Sequence, residues 1–262
     1  MNITADSMLI AIALAIPFAF FAWYKKWLDV GGAIAAALFG ILLWVVGGWA
    51  TTGPALIFFI TGSLLGTLPQ KGITDAKHHK PRDWVQVVAN GGIAGLAVLL
   101  YVFYPSPALQ MVFWVSIATS TSDTWSSGIG QWAGGKVWDI VGFRPLAAGL
   151  SGGVSVQGTF GGLLGSLVIA LATKGFAGIS WSLVGLIAVT GFAGMLVDSI
   201  LGSLFQGVYR LPDGQLTEDR AAAGSELPTK GLAWMTNDMV NLLSNLLIAL
   251  LVGVLAFFAA KG

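Results

Sequence analysis

Eight apolar runs, at roughly residues 7–24, 31–50, 54–68, 86–104, 107–122, 158–174, 182–207 and 236–259, take up most of this chain. A run near 20 residues matches the thickness of a bilayer's hydrocarbon core when helical, about 1.5 Å of rise per residue. In lipid a helix satisfies the hydrogen bonds of its own backbone, so each run reads as a spanning helix. The expected fold is therefore all-α: a polytopic transmembrane bundle of about eight spans, six at fewest, in a single integral-membrane domain over residues 1–262. The third and fifth runs are short, which leaves a broken or re-entrant segment open.

Composition agrees. Only 10% of residues are charged and 56% are hydrophobic, and mean hydropathy is +0.81. A soluble domain carries about 25% charged residues. The net charge of +1 gives no electrostatic case for nucleic acid. With no cysteine there is no disulfide, thiolate nucleophile or thiolate metal site. The N-terminal stretch lacks a basic lead and a cleavage site and reads as a retained first span.

The connections set the orientation. If they alternate sides, Lys25, Lys26, Lys71, Lys77, Lys80, Arg82, Lys136, Arg144, Arg210, Arg220 and Lys230 share one side, and Lys174 and Lys261 the other. The positive-inside rule makes the first side cytoplasmic and both termini external. In a prokaryote this would be the plasma membrane. Of the acids only Asp6 falls outside. Polar chemistry is thus expected at the cytoplasmic face.

Four stretches carry polar groups into apolar runs, where they are costly and by default functional. In PRDWVQVVANGG, Arg82, Gln86 and Asn90 recur every four residues, one stripe of a helix. Arg82 and Asn90 are thus candidate nucleotide- or phosphate-binding residues; a snorkelling interfacial arginine is the alternative for Arg82 and does not explain Asn90. In ATSTSDTWSS, Thr119, Ser120, Asp123 and Ser127 share a face; hydroxyls often bond back to their own helix, but Asp123 has no such excuse. In GMLVDSILGSLFQG, Asp198, Gly202 and Gln206 align, with Ser199 and Ser203 beside them. In TNDMVNLLSN, Asn237, Asn241, Ser244 and Asn245 align, with Asp238 adjacent, either a site or an interhelical hydrogen-bond seam. Three acids, Asp123, Asp198 and Asp238, at similar depth on one side would repel one another. A divalent cation would relieve this, and an oxygen-only set completed by Asn237 and Asn241 suits Mg²⁺, or Mn²⁺.

Residues 130–165 are rich in glycine and hydroxyls. The run from Gly130 to Lys136 has P-loop spacing, but Val137 stands where Ser or Thr would bind Mg²⁺ and no buried strand precedes it, so a P-loop is rejected. Lys136 and Arg144, followed by Ser151, Gly152, Gly153, Ser155, Gly158 and Thr159 just before a helix, could instead cradle phosphate. A plain linker is the alternative. Small-xxx-small spacings at Gly91/Gly95, Gly158/Gly162 and Gly161/Gly165 are expected to mark close helix packing.

Five ordered stretches, QVVANGG, SDTWSSGIG, FRPLAAGLSGGVSVQGTFGG, VDSILGSLFQG and NDMVNLLSN, resemble an integral-membrane family. Its members include the phytyl-phosphate kinase of plant plastids and cyanobacteria. The likeness covers roughly residues 20–258. The family is distantly similar to CTP-dependent polyprenol kinases and CDP-diacylglycerol synthases. The resemblance implies transfer of a phosphoryl group from a nucleoside triphosphate, CTP foremost, to an isoprenyl monophosphate in the membrane. It carries Asp123 and Asp198 over as motif acids, with Lys136 and Arg144 steadying phosphates. Ser151, Gly152, Gly153, Ser155 and Thr159 correspond to its loop, Asn237, Asp238 and Asn241 to its last motif, and Asn90 to its first. Gly128 stands where the family's motif has Glu, and Ala148, Gly149 and Leu150 where it has Pro-Gly-Thr. Two other classes stay in view: an ion-coupled transporter, which would need polar groups at the midplane and a way out, and a cytidylyltransferase making a CDP-lipid. A homodimer is compatible with any of these.

Overall fold

A computed structural model describes residues 4–71 and 80–259. Lys77 and Lys261 lie outside the described residues. Eight long helices form the molecule: α1 (Ala5–Tyr24), α2 (Val30–Gly47), α3 (Trp49–Gly66), α4 (Trp84–Phe103), α5 (Pro107–Ala133), α6 (Val156–Ala177), α7 (Trp181–Phe205) and α9 (Asn237–Ala259). A one-turn α8 (Arg220–Ala223) lies in the last long connection. Seven of them, all but α5, are long and apolar enough to cross a membrane. The chain is thus an integral, multi-pass membrane protein.

Local sequence explains where the helices begin. Asp29, Asp83, Ser106, Ser155 and Ser180 each accept a backbone N–H from the first turn of the helix that follows. Such caps satisfy donors that a helix start leaves free. Asp83 forms a reciprocal capping box with Gln86. Between α2 and α3 only Gly48 intervenes, at φ +55°, a conformation that suits glycine.

α5 is the hub. It packs against α3, α4, α6, α7 and α9. Its stretch from Phe113 to Ser122 is wholly buried. The third and fifth runs are not broken: α3 runs unbroken for 18 residues and α5 for 27. α5 continues 11 residues past the apolar run, through a polar stretch that includes Asp123, Thr124, Ser126 and Ser127. The closest partner is α6. A Cβ at Gly158, Gly161, Gly162 or Gly165 would lie between 2.9 and 3.1 Å from the carbonyl oxygens of Ser126, Trp125, Ser122 and Thr121 in α5. The small-residue spacing therefore marks a backbone-to-backbone contact, which Ser122 reinforces by donating to the Gly162 carbonyl at 2.8 Å. Gly91 and Gly95 serve a different purpose, making room for the Phe39 ring of α2.

The two ends of the bundle differ in their connections. At one end the helices are joined by Gly48, by residues 104–106 and by residues 178–180. At the other lie the four longer connections, whose described residues include ten of the cations assigned to the cytoplasmic side, Lys77 being the eleventh. Residues 134–155 are ordered by a short antiparallel pair, β1 (Trp138–Asp139) with β2 (Gly153–Val154). Residues 206–236 carry a second pair, β3 (Tyr209–Arg210) with β4 (Leu216–Thr217). The region from Gly130 to Gly165 is therefore not a plain linker: its ends belong to α5 and α6, and no strand precedes the P-loop-like spacing, which lies largely on the end of α5.

Candidate functional site

All four long connections converge on one cavity of about 1640 Å³ at the loop-rich end of the bundle. Single ligand pockets span about 300–1000 Å³, so this space can hold two substrates side by side. Asp123 (α5) and Asp198 (α7) both line it. The carboxylates repel each other, as the charge of Asp123 acts on Asp198. Ser244 of α9 donates to Asp198 Oδ2 at 2.8 Å and fixes its orientation. Asn237, Asp238 and Asn241 reach the same cavity from the start of α9, and Asn90 from α4.

The polar stretches divide by depth. Asn245 accepts from Ser116 at 2.9 Å and donates to Ser120 at 3.1 Å, and Ser120 donates to the Asn90 carbonyl at 2.7 Å. This buried chain ties α9, α5 and α4 together, so Ser116, Ser120 and Asn245 form the interhelical seam. Above it, Asn241 keeps its Oδ1 buried with no hydrogen-bond partner. An orphaned acceptor costs about 1–3 kcal/mol, so its place beside two carboxylates calls for a ligand.

The donor set fits a divalent cation in kind: two carboxylates and an amide oxygen, all hard oxygen ligands. It does not form the three-acid cluster expected from sequence. Among the described residues no three His, Cys, Asp or Glu side chains converge closely enough to hold a metal. Asp123, Asp198 and Asp238 come from three different helices, and the cavity between them is wide. Any cation here would share its shell with a substrate's oxygens.

The glycine-rich loop meets the cavity through Ser151, Gly152, Gly153, Ser155 and Gly158. Gly152, at φ +81°, lies so close to α7 that a Cβ would be 2.4 Å from that of Ser203. Much of the loop's donor capacity is already in use. Ser155 caps α6 through the Gly158 N–H. The Ser151 N–H and hydroxyl both donate to Glu218, which also accepts from Gln206 Nε2. Thr159 falls inside α6 and away from the cavity.

Lys136 and Arg144 are also off the cavity. Gly134 and Gly135, at φ +73° and +116°, end α5 and line the cavity with Val137, while the Lys136 side chain between Gly135 and Val137 is exposed. Arg144 is largely exposed and sits 3.8 Å from Asp139. Of the basic residues expected at the site Arg82 does line the cavity, joined by Lys71, Lys80 and Arg220. Burial pulls the Arg82 guanidinium below its usual pKa.

Two acids escaped the sequence reading. Asp139 is buried and accepts from Ser203 at 2.5 Å and from the Val141 N–H at 3.2 Å. Burial works to raise its pKa, but Ser203, the Val141 and Gly142 N–H groups and the charge of Lys230 outweigh it, leaving the carboxyl below the usual range. Asp139 thus pins the β1–β2 loop to α7, and Glu218 pins the same loop to the α7–α9 connection. Their partners are 64 and 67 residues away, a separation that no local pattern announces.

The chain matches the family described as integral membrane protein DUF92 over residues 13–249. An uncharacterized membrane protein of Synechocystis is 26% identical over 244 residues, covering 90% of this chain and 83% of the relative. Protein PGR of Arabidopsis thaliana is 25% identical over 291 residues, 96% of each chain. Protein VTE6, chloroplastic, also of Arabidopsis thaliana, is 25% identical over 228 residues, covering 83% of this chain and 62% of that protein. No solved structure matches.

Proposed function

On the premise that the chain belongs to the DUF92 integral-membrane family, we propose that it is a membrane-embedded, CTP-dependent kinase of isoprenyl monophosphates. The family likeness to phytyl-phosphate kinase supports the reaction class. The observation that carries the reading is the meeting of Asp123, Asp198 and the unpartnered Asn241 Oδ1 in a cavity wide enough for two substrates. A lipid phosphate and a soluble nucleotide could meet there from the membrane and from the aqueous side.

The chemistry asks little of a base. An oxygen of the prenyl monophosphate attacks the γ-phosphorus of CTP, the bond from that phosphorus to the β-phosphate oxygen breaks, and CDP leaves with the electron pair. Positioning and charge stabilisation dominate such transfers. Mg²⁺ or Mn²⁺ held by Asp123, Asp198 and Asn241, with Asn237 and Asp238 near, would neutralise charge on the transferring group. Ser244 keeps Asp198 aimed into the cavity. Ser151, Gly152 and Gly153 offer backbone to the nucleotide phosphates once Glu218 yields the Ser151 N–H.

The test is direct. Purified protein in detergent with CTP, Mg²⁺ and phytyl or geranylgeranyl monophosphate should release CDP and prenyl diphosphate in equal amounts. Absence of diphosphate across several prenyl phosphates rejects the reading. Pyrophosphate in place of CDP would assign cytidylyl transfer instead.

A further inference from the structure

We propose that Arg82 is the anion subsite for the phosphomonoester headgroup of a membrane-borne acceptor, apart from the nucleotide loop. The identity of the acceptor rests on the kinase reading; the anion site itself does not.

Arg82 stands out among the arginines near the cavity. Arg144 pairs with Asp139, and Arg220 pairs with Glu226. Among the described residues the Arg82 guanidinium makes no ion pair and no hydrogen bond, although the residue is only partly exposed in the cavity wall. An arginine does not shed its proton, so its charge stays in the wall without a protein counter-ion. An arriving anion supplies the missing partner, and the planar fork of five N–H donors suits a phosphate's paired oxygens.

The residue is also held in place in advance. Its N–H donates to the Trp27 carbonyl and its own carbonyl accepts from the Asp29 N–H, each at 3.0 Å. The next residue, Asp83, caps α4. The guanidinium reaches over Gly62 of α3: Nη2 and Nη1 would stand 3.3 and 3.6 Å from a Cβ there. Glycine at 62 is therefore what lets the head lie in this position.

Location argues for the lipid. Arg82 is built into the α1–α2 connection, α3 and α4, whereas the glycine loop is built on α6 and α7. α5 packs between the two groups and carries Asp123. Within two turns of Arg82 along α4, Trp84, Val85 and Val88 are exposed, as is Leu64 on α3 beyond Gly62. In a bilayer these side chains face hydrocarbon, so a headgroup at Arg82 can keep its tail in the membrane.

Equilibrium binding to the purified full-length chain in detergent tests this with three probes: geranylgeranyl monophosphate, inorganic phosphate and CTP. Arg82→Gln should weaken the prenyl monophosphate by about 10- to 100-fold and leave CTP within about twofold. Arg82→Lys should restore part of the loss. Gly62→Ala, which keeps the charge but crowds the guanidinium, should weaken the same probe and serves if Arg82→Gln does not fold. Inorganic phosphate binding as tightly as the prenyl compound would overturn the lipid assignment. An unchanged prenyl affinity in Arg82→Gln and Gly62→Ala, or an equal loss for CTP, would overturn the subsite. The two proposals separate cleanly. Arg82-dependent binding without turnover keeps the subsite and rejects the kinase, while turnover with an Arg82-independent acceptor KM does the reverse.

Discussion

The two ends of this bundle solve opposite problems. One is closed by connections of one to three residues, and its helices meet through small and apolar side chains. The other is splayed by four long connections and holds both acids that face each other in the cavity, an orphaned amide oxygen and an arginine without an ion pair. The contrast teaches where this chain keeps its unsatisfied groups. The closed end is held mainly by packing and leaves one buried hydroxyl, that of Thr52, without a partner, whereas the open end gathers charged and amide groups whose polarity a ligand can complete.

That contrast can be broken by substitution. The largest effect is expected from Asp123→Asn at the open end. It should cut kinase turnover by about 10²- to 10³-fold while the melting temperature holds or rises, since a repelling charge is removed; a large drop in melting temperature with normal turnover would reverse the assignment. Next is Gly191→Leu, toward the closed end. A Cβ there would lie 2.6 Å from that of Ala118 and 3.0 Å from its carbonyl carbon. Overpacking of this kind costs about 1–3 kcal/mol. Thermal unfolding should show it, and the surviving folded protein should keep its KM values.

A smaller effect ties the open end to pH. Asp139 is held below its ordinary pKa, so its contribution is present above the unfolded value of about 3.9 and fades as pH falls through the folded value. Wild type should therefore exceed Asp139→Asn in stability at pH 7, with the gap closing below about pH 4. A gap that persists at low pH would remove charge from the explanation. Smallest of all is Ser106→Ala, which deletes the cap of α5 at the closed end. About 1 kcal/mol of stability should go, with kinetics unchanged.

Most of the architecture was legible, because hydropathy is a strong signal in a chain this apolar. The runs at 182–207 and 236–259 became α7 (Trp181–Phe205) and α9 (Asn237–Ala259) with ends within two residues. Asp123 and Asp198, which stand alone in apolar surroundings, were legible as a pair and line one cavity. The loop cations were harder to place. Lys136 and Arg144 looked right by proximity in sequence, but neither lines the cavity, although Gly134, Gly135 and Val137 beside Lys136 do, and nothing short of the backbone path reveals it. Arg82 was a phosphate-binding candidate from its stripe with Gln86 and Asn90, but its surroundings come from α3 and the α1–α2 connection, distant in sequence, so its lack of an ion pair was not legible. Asp139 and Glu218 resembled common loop acids until their hydroxyl and amide partners came into contact.

The hub helix has a consequence for biogenesis. α5 touches five other helices, yet it is the one long helix too polar to qualify as a span on its own. An Asp near the middle of an isolated helix opposes insertion by about 2.5–3.5 kcal/mol. Three of its partners, α6, α7 and α9, are synthesised after it. The centre of the finished protein therefore cannot be its first settled piece. The polar face of α5 is fully enclosed only once α6 has laid its glycine face against it.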